Sequence, residues 1–210
     1  MKKYFLSALL YLCFLNQAFA AVDEEAMSVK NRKAKEYSIA LQLFGFGPTA
    51  SITNGIHAGY FIDSNSLLQV EILAGNDPVI WGTGRYTISS YSVGTYYKLF
   101  MTPTFYIKLG TDFKNVRYKY EDDRTGGTEE RTEFTGNSLG GHFSVGHQWQ
   151  WQNFTFGFDW IGISAPFISQ IQSTFTGGAT PNQRRLDGDQ SRYLKDNIII
   201  ILHGYLGASF

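Results

Sequence analysis

The chain has almost no cysteine. Cys13 is the only one in 210 residues, and it falls in an apolar leader at the N-terminus. Downstream there is no thiol, which excludes disulfides, thiolate nucleophiles and cysteine metal sites together. Long apolar runs are missing too. After the leader the longest, Ile198 to Leu202, spans five residues, far short of the roughly 18 that a membrane helix needs. There is no basic excess, since 18 Lys plus Arg meet 18 Asp plus Glu. Losing Lys2 and Lys3 with the leader leaves 16 against 18, a net of −2. A nucleic-acid partner therefore has no electrostatic support. Histidine is limited to four, and no spacing of them imitates a ligand motif, so neither a metal nor a cofactor is expected.

The leader reads as a secretory signal over residues 1–20. Lys2 and Lys3 supply the positive start, Phe5 to Leu15 the apolar stretch, and Ala18-Phe19-Ala20 the small-residue cleavage pattern. The stretch is too short to span a bilayer. Cys13 lies inside it between Leu12 and Phe14, which does not suit a lipoprotein cleavage point. Residues 21–36 are polar and carry both signs, from Asp23 to Lys35. They are expected to be a mobile or weakly helical periplasmic lead-in rather than a plug, because chain ends that are not tied down are usually disordered.

From Tyr37 onward the apolar period is two, the signature of half-buried strands. Eight such segments are legible. Tyr37, Ile39, Leu41 and Leu43 open the first, and Ile56, Ala58, Tyr60 and Ile62 mark the second. Leu68, Val70, Ile72 and Ala74 define the third, and Tyr91 to Leu99 the fourth. The fifth runs from Phe105 to Phe113, with a slip of phase after Lys114 that suggests a bulge or an exit from the membrane. Leu139, Phe143, Val145 and Trp149 mark the sixth, and Phe154, Phe156, Phe158 and Trp160 the seventh. The eighth puts Ile198, Ile200, Leu202, Leu206, Ala208 and Phe210 on one face, with Ile199, Ile201, His203, Tyr205, Gly207 and Ser209 on the other. Connections alternate between short turns and longer polar loops at about 75–84, 121–133 and 165–192. The link after the first strand breaks this alternation by being short. Bacterial barrels have an even strand number, short periplasmic turns and long outer loops, which places both termini in the periplasm.

Alternation alone does not say which face is outside. The bulky residues share the apolar face, and the other face is rich in Gly and Ser. An eight-stranded lumen has room for side chains only, so it cannot hold that many large aromatics. Charge within strands is sparse. Aromatics gather at strand ends in two girdles. Tyr60, Tyr97, Phe105, Trp149, Trp151, Phe154 and Phe210 lie by the turns, and Trp81, Tyr86, Tyr118, Phe134, Trp160 and Tyr193 lie toward the other rim. The expected fold is therefore all-β: an eight-stranded antiparallel up-and-down transmembrane β-barrel over residues 37–210.

With its signal, alternating segments and last strand Ile198-Ile-Ile-Ile-Leu-His-Gly-Tyr-Leu-Gly-Ala-Ser-Phe210, the chain resembles the small eight-stranded bacterial outer-membrane proteins of OmpA, OmpX and OmpW type. The resemblance covers about Tyr37 to Phe210 and is architectural. It implies an outer-membrane location among lipid and lipopolysaccharide. It also implies recognition of the terminal Phe210, with Leu206 and Leu202 before it, by the barrel-assembly machinery. Gly204 is a weak position in that pattern. OmpW-type resemblance implies the alternative of a small pore for hydrophobic or small solutes.

The inward faces carry Glu71, Lys98, Lys108, Asp112, Asp159, His57, His142 and His203. Buried charges are costly unless paired, so these are expected to form a polar network that fills the lumen. Catalysis has one weak candidate, His142 with Ser144. Their spacing of two puts both side chains on one face of a strand. Some small outer-membrane barrels modify lipid A with a His, a Ser and a carboxylate, but this pair points inward, and Val145 stands where the deacylase pattern has Asn. The acidic loop around Glu121 to Glu130 lacks the regular spacing of a calcium site. The expected function is a monomeric, non-enzymatic outer-membrane barrel with a structural or surface-interaction role.

Overall fold

A computed structural model describes residues 22–46, 53–81, 84–122, 130–176 and 194–210. The signal segment 1–20 lies outside these, as do most of the first link and much of the loops at 121–133 and 165–192. One helix, α1 (Val22–Lys33), precedes eight strands. They are β1 (Tyr37–Phe46), β2 (Thr53–Asp63), β3 (Ser66–Trp81), β4 (Gly84–Phe100), β5 (Phe105–Asp122), β6 (Glu130–Trp151), β7 (Phe154–Thr176) and β8 (Ile198–Ser209). Each is antiparallel to the next in sequence order, and β8 pairs with β1 to close a barrel. Closure leaves no edge with bare backbone groups inside the lipid.

The short connections, at 64–65, 101–104 and 152–153, share one end with Tyr37 and Phe210. We call it the turn end, and the opposite rim the loop end. Gln152 adopts φ 51°, the left-handed conformation that a two-residue hairpin demands. The last residue is tied in by the backbone: Phe210 N–H donates to Tyr37 O at 2.9 Å, and Tyr37 N–H donates back to Phe210 O at 2.9 Å.

The face turned outward is apolar around the barrel. Ile39, Leu41, Ile56, Leu68, Ile72, Tyr97, Leu109, Phe143, Ile163 and Phe210 are all exposed. On β5 this belt runs from Phe105 to Phe113, matching the roughly 9–11 residues of a membrane-crossing strand. Its upper limit falls within two rows. Ile72, Val93, Phe113, Leu139 and Ile168 are neighbours along one apolar row across β3 to β7. The row above, Ala74, Tyr91, Asn115, Asn137 and Gln170, is already polar on β5 to β7, and the next, Asn76, Ser89, Arg117, Thr135 and Gln172, is polar throughout. The strands continue beyond it, so β3 to β7 rise past the shorter β1, β2 and β8 as a wall with a polar outer face.

That wall corrects three expected loops. Residues 75–84 are mostly strand, β5 and β6 extend to Asp122 and from Glu130, and β7 runs on to Thr176. Outside the lipid both faces of a strand can be polar, so period two in hydrophobicity fades while backbone pairing continues. Among the described residues Pro78 falls where β3 pairs with β4 alone, the edge position in which a missing N–H is tolerated.

Four further expectations are corrected. The lead-in is helical, one of the two forms expected, but it is not loose, because α1 is docked across the turn end with Ser28 and Arg32 buried. The phase of β5 does not slip after Lys114, since its register with β4 and β6 is unbroken. Instead Val116 and Tyr118 turn inward and pack with Ile88, Phe134 and Leu194. Tyr118 and Phe134 are stacked with ring centroids 4.8 Å apart, so they close the lumen rather than form an outer girdle. Trp160 faces outward but lies far below the end of β7. The side chains of Trp81 and Tyr86, and Tyr193 as a whole, lie outside the described residues.

On β8 the upper faces are reversed. Ile199 and Ile201 are exposed, and Ile200 is buried. Leu202 at φ 52° interrupts the pairing with both neighbours. Below it His203, Tyr205 and Ser209 point inward and Leu206, Ala208 and Phe210 outward. A bulge absorbs one residue and flips the phase above it, and a strand with four isoleucines in a row gives no pattern from which to see this. On β7, extra residues at Trp160 and Phe167 relative to β6 reset the phase in the same way.

Candidate functional site

The lumen holds the chemistry. Each inward tyrosine of the turn-end half stands opposite a glycine: Tyr96 faces Gly110, Tyr106 faces Gly146, and Tyr205 faces Gly157. A Cβ at any of these glycines would collide with the tyrosine ring. The Gly-rich inner face is therefore the space into which the rings lie flat.

Lys98 and Lys108 are direct cross-strand partners, and like charges so placed repel. Two carboxylates resolve this. Lys108 Nζ is 2.7 Å from Glu71 Oε1 and 2.6 Å from Asp159 Oδ2. Among the described residues, Lys98 has no carboxylate within ion-pair distance. It donates to Tyr205 Oη at 3.1 Å and Gln148 Oε1 at 3.2 Å, and lies 4.2 Å from the Tyr106 ring centroid. Tyr106 donates to Asp159. Gln69 donates to Glu71 at 2.6 Å, and His57 lies between Gln42 and Gln69 at 3.1 and 3.3 Å.

A second cluster surrounds Asp112. Ser164 donates to Asp112 Oδ2 at 3.0 Å, Lys114 Nζ lies 3.6 Å from Oδ1, and His142 Nδ1 lies 3.5 Å from Oδ2. All eight side chains expected in the lumen are buried. They divide between the two clusters except His203, whose Nε2 has no partner among the described residues. Lys114, Tyr106, Tyr205, Gln69 and Gln148 were not foreseen as members. With Lys114 the strand-borne charges balance at three of each sign.

His142 and Ser144 both face inward, as their spacing requires, but they are not joined. Ser144 Oγ and His142 Nε2 each lack a partner among the described residues, and both side chains are buried. A nucleophile and base need mutual hydrogen-bond contact and access to substrate. This pair has neither arrangement.

Among the described residues an apolar cluster sits at each end of the lumen. At the loop end the stopper is the apolar cluster around Phe134 and Leu194. At the turn end Phe61, Leu67, Phe100 and Tyr106 form a second cluster, and α1 covers it. Arg32 donates from Nε to Ser64 O at 2.8 Å and from Nη1 to Pro103 O at 2.6 Å, with its guanidinium 4.0 Å from the Phe100 ring centroid. Asn31 donates to Gln150 O at 3.0 Å, and Ser28 accepts from Gln150 N–H at 3.3 Å. One helix thus ties the first two short turns to the end of β6. Burial draws the Arg32 guanidinium down to about 10, with Tyr205 nearby partly offsetting it.

Eight strands closed in sequence order, a polar lumen and an apolar outer belt define a transmembrane up-and-down β-barrel, the architecture of small outer-membrane proteins. Among solved structures the chain is similar to a major outer membrane protein from Thermus thermophilus, with TM-score 0.53 and 12% identity, covering 84% of this chain and 100% of that one. It is also similar to Acinetobacter baumannii CarO, with TM-score 0.47 and 10% identity over 85% and 98% of the two chains. CarO2 of the same organism gives TM-score 0.44 and 10% identity over 84% and 97%. No family model matches the chain, and no curated protein sequence does.

Proposed function

We propose that this protein is a non-enzymatic, monomeric outer-membrane barrel with no open channel, whose role is structural or lies in interactions of its projecting wall. The observation that carries this reading is the lumen. It is filled by the Lys108–Glu71–Asp159 network and closed by Phe134 and Leu194 at one end and by α1 at the other. A solute path would have to displace buried, paired charges, and breaking such pairs is strongly unfavourable. The wall of β3 to β7 is the part with a polar outer face beyond the apolar belt. Its exposed Arg117–Glu133 ion pair is a feature of a wet surface rather than of lipid contact. In this reading the wall points outside the cell, the termini and α1 face the periplasm, and lipid and lipopolysaccharide surround the belt.

Planar-bilayer recording of the refolded protein tests the closed lumen. No stable conductance step is expected from the full chain, and a steady open level would overturn the reading. Phe210, with Leu206 outward behind it, serves in this proposal as the assembly signal. Deleting Phe210 is expected to lower outer-membrane levels, and unchanged levels would remove that role.

A further inference from the structure

Among the described residues, the buried basic side chains are Arg32, Lys98, Lys108 and Lys114, and the buried acidic ones are Glu71, Asp112 and Asp159. Lys108 and Lys114 are ion-paired with these carboxylates. Arg32 and Lys98 have no carboxylate within ion-pair distance among the described residues, and Arg32 stands at the turn end. An unpaired charge away from water is expensive.

The hydrogen-bond inventory points to the same place. Arg32 Nη2 is buried without a partner among the described residues. Gln148 Oε1 accepts from both Lys98 and Tyr205, which fixes its amide and leaves Nε2 as an unpartnered buried donor. Gln150, two residues further along the same inward face and directly beneath Ser28 and Asn31 of α1, has its whole side-chain amide unpartnered at 0% exposure. Donors therefore predominate under α1: Arg32 Nη2, Gln148 Nε2 and Gln150 Nε2 lack acceptors among the described residues, against one unpartnered acceptor, Gln150 Oε1. Among the described residues no carboxylate is paired with either cation there. Buried donors without acceptors are rare in folded proteins and call for an explanation.

We infer that the turn end beneath α1 is a small-anion site, in which Arg32, Gln148 and Gln150 donate to one inorganic anion that neutralises the guanidinium. Water could satisfy the amides but not the charge.

The test uses the full chain refolded in detergent micelles and follows thermal unfolding by the gel shift between folded and boiled forms. Chloride and bromide are compared with gluconate, too bulky to enter, at equal ionic strength. The unfolding midpoint is expected to rise with halide and to saturate, because a ligand held only by the folded state stabilises it by mass action. Arg32→Met should abolish the halide dependence, and Lys33→Met, exposed on the same helix, should keep it. If Arg32→Met does not fold, Gln150→Leu decides. With no anion bound, replacing an unpartnered buried amide with an apolar side chain should raise the midpoint in both salts. Over a bound anion it should lower the midpoint in halide alone. Bromide anomalous scattering in crystals gives the location. A peak between Arg32 and Gln150 supports the inference. Peaks at exposed lysines alone, an adventitious ion only, would overturn it, as would identical midpoints in bromide and gluconate.

Discussion

The residue that organises the lumen is Lys108. It neutralises two carboxylates at once and stands opposite a second lysine. Removing it leaves Glu71 and Asp159 buried without their cation, the costly half of a broken ion pair. Lys108→Met should therefore destabilise the barrel by about 3–5 kcal/mol, read as a drop in the denaturant midpoint of the refolded protein. A loss within the scatter of surface substitutions would mean that the network is solvated rather than packed. Single residues were legible in sequence to the extent that their type is rare on an inward face. Lys98, Lys108, Glu71 and Asp159 stood out as charges in sparse strands. Gln148, Gln69 and the three tyrosines did not, because nothing in a lone polar or aromatic residue says that it will meet a lysine from a distant strand.

At the scale of the element, β5 shows both the strength and the limit of periodicity. Its membrane half reads cleanly because lipid demands apolar side chains on one face. Above Phe113 the outward face becomes Asn115, Arg117 and Lys119, and the inward face becomes Val116 and Tyr118. The apolar side thus changes over while the strand stays straight, which a hydrophobicity pattern cannot distinguish from a bulge. The real bulges, at Trp160 and Phe167 on β7 and Leu202 on β8, are hidden because each bulged residue is itself apolar and adjoins an isoleucine, Ile161, Ile168 and Ile201. The inward assignment has a direct consequence. Phe134→Ala should cost about 3–5 kcal/mol, as for a packed core aromatic, whereas Arg117→Ala, outward at the same level, should change stability by no more than about 0.5 kcal/mol. Equal small effects in urea titrations would return Phe134 to the outer surface. The helix α1 was the least legible element. Its sequence is polar and carries no amphipathic stripe, and its place depends on Arg32 reaching two turn carbonyls and the face of Phe100, contacts that exist only once the barrel is closed.

For the whole molecule the decisive feature is asymmetry between its two ends. One end has two- to four-residue turns gathered under a single helix. The other has a wall of five strands that has passed the apolar belt by the row Asn76, Ser89, Arg117, Thr135 and Gln172. A belt about nine to eleven residues high fits one bilayer, so the wall must stand clear of it on one side of the membrane and α1 on the other. The absence of cysteine downstream of Cys13 makes the direction measurable without further engineering. Gln170→Cys, exposed just above the belt, and Met101→Cys, exposed in the turn between β4 and β5, leave the lumen untouched. In intact cells a membrane-impermeant maleimide should label Gln170→Cys and not Met101→Cys, and both should react after the outer membrane is permeabilised. Labelling of Met101→Cys alone in intact cells would invert the barrel, put the wall in the periplasm, and remove the basis for a role at the cell surface.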